Sequence, residues 1–134
     1  MVDPLSAQYA SLTERRIHFG KMYWQNIGLH CAGLLAAAAI FRDLAAPWLG
    51  VALAIAGAAT LLMAYIAARI RTLEVSYERA LGAIEEAWIA AGHVSVQRAP
   101  ISGPRGARFA VNLTLALAGA VMLAIGLYLA LAIG

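Results

Sequence analysis

The stretch PWLGVALAIAGAATLLMAYIAA, Pro47 to Ala68, runs for 22 residues without a Lys, Arg, Asp or Glu and closes on Arg69 and Arg71. About 20 apolar residues in a helix cross the ~30 Å hydrocarbon layer of a bilayer. Two further runs flank it: Met22 to Phe41, closed by Arg42 and Asp43, and about Leu113 to Ile133. None alternates apolar and polar residues as a barrel strand would. A helix is the remaining way to satisfy backbone N–H and C=O groups in lipid. The expected fold is an all-α integral membrane protein with three transmembrane helices. The composition agrees, at 63% hydrophobic and 13% charged, where soluble domains carry about 45–50% and about 25%. A soluble domain of 134 residues would expose much of that apolar surface, because small domains bury only ~60–70% of it.

The basic residues orient the spans. Arg15, Arg16 and Lys21 precede the first; Arg69, Arg71, Arg79, Arg98, Arg105 and Arg108 lie between the second and third. If the first two spans form a hairpin, nine of ten basic residues share one side, with Arg42 alone on the other. The positive-inside bias makes that side the cytoplasm of a bacterial inner membrane, with the N-terminus inside and the C-terminus outside. The leading segment contains Asp3 and Glu14, which suits a signal peptide poorly. Thr13-Glu14-Arg15-Arg16 has the look of a twin-arginine signal, but such signals lead into soluble cargo and here the chain enters membrane helix. The single cysteine, Cys31, excludes an intrachain disulfide. A net charge of +3 fits an anionic lipid surface better than a nucleic acid, which calls for a concentrated basic face.

The spans continue into polar helices. Asp3-Pro4 is a helix start, Asp as N-cap and Pro in the first turn. Leu5, Tyr9, Leu12, Phe19 and Tyr23 then recur at helical spacing, with Arg16 at the skipped position, so residues 1–21 read as a cytoplasmic amphipathic helix entering span 22–41. After the extracytoplasmic turn 42–46 and span 47–68, the residues Ile66, Ile70, Leu73, Tyr77, Leu81, Ile84 and Trp88 keep a 4-3-4-4-3-4 spacing, close to a heptad seam. This helix, 69–92, ends near Gly92; a basic Gly/Pro linker, 93–108, leads to the third span within 109–134. The two cytoplasmic helices are expected to pair as an antiparallel stalk through Leu12, Phe19, Ile70, Leu73, Tyr77 and Leu81. That pairing would set Phe19 near Ile70, Arg16 near Glu74 and Tyr77, and Leu5 near Trp88. The alternative lays the first helix on the membrane surface.

Within the membrane, helices associate where small residues let backbones approach. Gly28/Ala32, Gly33/Ala37, Gly50/Ala54/Ala58 and Ala116/Ala120/Ala124 form such ridges. They point to tight internal packing and to a homo-oligomer or a place in a larger membrane complex. His30 is the polar residue at depth that invites a function. It reads first as a histidine hydrogen-bonded between helices, then as a proton or ion group, then as a ligand for haem or a chlorophyll-type pigment. No cofactor, metal or nucleic acid is otherwise expected. Glu85-Glu86 with His93 falls where the helix ends, and Ser102-Gly103-Pro104-Arg105-Gly106 lacks the strand and Lys-Ser/Thr of a phosphate loop. Arg98, Arg105 and Arg108 read as a juxtamembrane patch for lipid headgroups.

The layout of residues 5 to 92, a basic amphipathic helix, a two-helix hairpin and a heptad-bearing extension, resembles that of small two-span effector domains of bacterial conflict systems. The third span departs from that layout. The resemblance implies a self-assembling pore or channel. The residues themselves favour a non-enzymatic accessory or scaffolding subunit, with a His30 cofactor subunit as the remaining alternative.

Overall fold

The computed structural model describes residues 4–92 and 106–132, and these form three helices with no strand among them. α1 is Pro4–Phe41, α2 is Ala46–Ala90 and α3 is Ala107–Ala132. Each of the three is long and apolar enough to cross a membrane.

At 1.5 Å per residue, α2 with its 45 residues is about 68 Å long, and α1 with 38 is about 57 Å. Both exceed the ~30 Å of hydrocarbon, so each continues well beyond its apolar run without a break. α3, with 26 residues, is close to a span alone. The α1–α2 turn is short: Leu44 N–H bonds to the Phe41 carbonyl at 3.1 Å, and Pro47 in the first turn of α2 costs no internal hydrogen bond. α2 stops at a glycine, as its sequence implies. Gly92 takes φ +89°, a left-handed conformation open to glycine, and donates to the Ile89 carbonyl at 3.0 Å.

α2 lies between the other two helices and packs more extensively on α3 than on α1. The α2–α3 contact is antiparallel and built on glycine. A Cβ placed on Gly50 would stand 2.8 Å from the Gly126 carbonyl oxygen, and one on Gly57 2.8 Å from that of Gly119. Seven residues separate the two glycines on each helix, which is two turns and returns both to one face. Bare backbone therefore meets bare backbone at two levels. The ridges expected from alanine spacing are only partly used: Gly50 is buried and Ala54 half-buried against Gly126, whereas Ala58, Ala120 and Ala124 are exposed and Ala116 is half-buried. Alanine methyls hold backbones further apart, so the closest approach selects the glycines instead.

α1 runs antiparallel to α2. Tyr23, Ile27, Met63, Ala67 and Ile70 make the buried cluster, with Phe19, Met22, Val111 and Leu115 packed against it. Tyr23 is wholly enclosed. Beyond Ile27 toward Phe41, α1 leaves most of its surface outward: Leu29 is 75% and Leu35 74% exposed.

Candidate functional site

Among the described residues polar side chains come together at three levels, each built from residues spaced to face a neighbouring helix. At the first level α1, α2 and α3 meet. Arg108, in the first turn of α3, forms an ion pair with Glu74 of α2. The Glu74 carboxylate and the Arg108 guanidinium both lie beside Gly20 of α1, where a Cβ would be 3.4 Å from Glu74 Oε1. Tyr23, one turn further along α1, donates its hydroxyl hydrogen to Asn112 Oδ1 at 2.8 Å, with the Arg108 carbonyl oxygen at 3.1 Å. The Arg108 guanidinium rests over the Tyr23 ring, 5.2 Å from its centroid. A buried carboxylate is costly unless it is paired and hydrogen-bonded. This arrangement supplies the pair, and it ties three helices at one point.

The second level is deep in the apolar run. Thr60 is 1% exposed, and its hydroxyl donates to the Ala56 carbonyl one turn back at 2.8 Å. Its single hydrogen is thereby spent. His30 Nε2 lies 3.0 Å from Thr60 Oγ1, so the proton in that bond belongs to Nε2 and His30 is the donor. The imidazole thus ties α1 to α2. Ligation of haem or pigment through Nε2 would require this bond to be given up.

Outside the apolar runs, the N-terminal part of α1 meets the C-terminal part of α2. Phe19 stacks on Tyr77 with centroids 5.6 Å apart, and Tyr9 packs on Trp88 at 5.0 Å. Arg16 pairs with Glu78 at 3.2 Å, not with Glu74, which Arg108 holds. Tyr9 donates to Glu85 Oε1 at 2.9 Å. That hydrogen bond, then burial and the carboxylate's charge, push the Tyr9 phenol above its ordinary value, with Arg16 opposing. Ile70, Leu81 and Ile84 of the heptad seam are buried and Tyr77 and Leu12 half-buried, while Leu73 is 45% exposed. Glu74, Glu78 and Glu85 are buried beside them. Glu74 is drawn onto the covered face by Arg108 of α3, whereas Glu78 and Glu85, each next to a heptad position, are held there by Arg16 and Tyr9 of α1.

Gly28 and Ala32 are exposed, and a Cβ on Gly28 or Gly33 would meet nothing. Of the arginines read as headgroup contacts, Arg98 and Arg105 lie outside the described residues, as does His93, and Arg108 is in the Glu74 pair. Small-residue and heptad spacing do not single out the interhelical glycines Gly57, Gly119 and Gly126, nor Thr60 as the partner of His30. The matching seven-residue glycine spacing in the second and third spans is the signal that points to the glycines. Among the described residues no group of three or more His, Cys, Asp or Glu could hold a metal ion. Comparison with protein-family models, with curated proteins and with solved structures gives no match for this chain.

Proposed function

We propose that the chain is a small, non-enzymatic accessory or scaffolding subunit of a bacterial inner-membrane complex, acting through helix–helix packing. In this reading it crosses the membrane three times, with the N-terminus and the paired ends of α1 and α2 in the cytoplasm and the C-terminus outside. One observation carries it: the Gly28/Ala32 face of α1 in its apolar half is left exposed by the chain itself, and a Cβ on Gly28 would meet nothing within 4 Å. In lipid such faces are where a second helix docks. The polar groups fit the same reading, because Glu74, Arg108, Tyr23, His30 and Thr60 are engaged with one another or with backbone and present no nucleophile–base pair. The test is the mass and composition of the particle extracted in mild detergent from its native membrane. Stoichiometric partners or a multiple of the 14.1 kDa chain mass are expected. A lone chain would overturn the reading, and ion conductance from pure protein in liposomes would replace it with a pore.

A further inference from the structure

Two faces of the molecule are left open, and they match. On α1, Glu14, Ile17, Lys21, Trp24, Gly28 and Leu35 are spaced 3-4-3-4-7, a heptad seam turned outward, and all six are exposed. Ile17 is 65% exposed although it lies outside the apolar run. Elsewhere a groove of about 1030 Å³ runs along α2 and α3 without α1, from Leu61 and Ala64 past Thr72 and Ser76 to Arg79. We propose that this groove receives the α1 seam of a second copy of the chain. That rests on the helix-packing reading above and names its partner.

Depth is what pairs the two faces. Within one chain α1 and α2 are antiparallel, and Arg16 stands level with Glu78, Phe19 with Tyr77 and His30 with Thr60. Copies inserted the same way in one membrane keep those levels. By the same count the Glu14 of the docking seam comes level with Arg79 of the groove, Lys21 with Thr72 and Ser76, and Gly28 with Ala64. Each match is chemically sound. Glu14 and Arg79 are exposed and form no ion pair among the described residues, so the contact brings opposite charges together. Thr72 and Ser76 spend their hydroxyl hydrogens on the carbonyls of Ala68 and Leu73, which leaves their oxygens as acceptors for the Lys21 ammonium. Gly28, where a Cβ would meet nothing in its own chain, lets the seam approach the small wall at Ala64 closely. Arg71 also lines the groove, but it is engaged within its own chain and borders Glu74 and Glu78, so no contact is assigned to it. Two α1 seams facing across a two-fold axis would set Glu14 against Glu14 and Lys21 against Lys21, which like charges oppose. Different faces meet instead, and copies join head to tail around an axis along the membrane normal.

Disulfide trapping in the membrane tests this, with full-length chains in which Cys31→Ser removes the native thiol. One tagged copy carries Ile17→Cys and a differently tagged copy Ser76→Cys, both at exposed positions of one level. Oxidation is expected to join the two tags, with no comparable joining among Ile17→Cys copies. Glu14→Lys in the first copy should lower the mixed product about fivefold or more, as facing like charges would, and Arg79→Glu in the second should restore it. Absence of the mixed product, equal joining among Ile17→Cys copies, or a double charge exchange that restores nothing overturns the proposal. So does a foreign chain joined to Ser76→Cys in place of a copy. Gly28→Leu in the otherwise native chain serves if a cysteine variant does not fold: it should lower the particle mass in mild detergent, and an unchanged mass overturns the docking. A particle of several copies or partners that gives no mixed disulfide defeats this docking alone, whereas a lone chain defeats the helix-packing reading with it.

Discussion

Gly57 and Gly119 face one another so closely that a Cβ on Gly57 would lie 2.8 Å from the Gly119 carbonyl oxygen, and one on Gly119 3.0 Å from that of Gly57. Gly50 and Gly126 repeat the relationship two turns away, at 2.8 and 2.7 Å. In lipid, where apolar side chains gain nothing by leaving apolar surroundings, contact of this kind is the main attraction between spans.

Filling either level should therefore separate α2 from α3. Gly57→Leu and Gly126→Leu are each expected to cost about 1–3 kcal/mol or more, the range for overpacking an interface whose neighbours are backbone. Thermal unfolding in detergent, followed by circular dichroism, reads this. Gly28→Leu, which meets open space, is the control and should leave the intrachain transition where it was. Equal effects at Gly28 and Gly57 would refute the glycine contact.

The Glu74–Arg108 pair should behave as a buried ion pair. Arg108→Gln leaves the carboxylate, in a residue 6% exposed, without its cation, and is expected to cost about 3–5 kcal/mol. Glu74→Gln combined with Arg108→Gln should cost less than Arg108→Gln alone. Additive losses in that double-mutant cycle would show the two side chains to be uncoupled.

The hydrogen-bond chain from His30 through Thr60 to the Ala56 carbonyl assigns the imidazole tautomer. Nitrogen-15 NMR of histidine-labelled protein should find His30 protonated at Nε2 while neutral. Thr60→Val removes both bonds and is expected to cost roughly 0.6–1.7 kcal/mol, the range for such bonds between membrane helices. A neutral imidazole protonated at Nδ1 would break the assignment.

Tyr9 offers a pH test of the contact between the polar ends of α1 and α2. Its phenol is raised above the ordinary 10.0 chiefly by the bond to Glu85. A raised value in the folded state means that this contact contributes fully below about pH 10, the unfolded value, and is lost as the pH climbs through the folded value. An ultraviolet titration of wild type minus Tyr9→Phe isolates the phenol. In Glu85→Gln the same difference should appear at lower pH; an unmoved curve would mean the carboxylate does not hold Tyr9.

Some of this is legible along the chain and some is not. The three apolar runs, the continuation of α1 and α2 past them, and the end of α2 at Gly92 come from local rules: runs free of charge, helical periodicity, and a glycine able to take positive φ. Glu74 reads as a stalk charge near Arg16 in a heptad scheme, because such a scheme describes one partner helix; the Arg108 that holds it comes from a second.

Three long helices suited to a membrane follow from the order of residues, since length and hydropathy are properties of each segment alone. Which small residues touch, which glutamates are paired and what His30 holds follow only from how the helices are packed. The difference is one of distance. Backbone approach, ion pairing and hydrogen bonding between helices depend on their mutual register, and alanine-rich spans offer several faces of nearly equal pattern. Only the placement of α2 against both neighbours distinguishes Gly57 from Ala58, or Glu74 from Leu73.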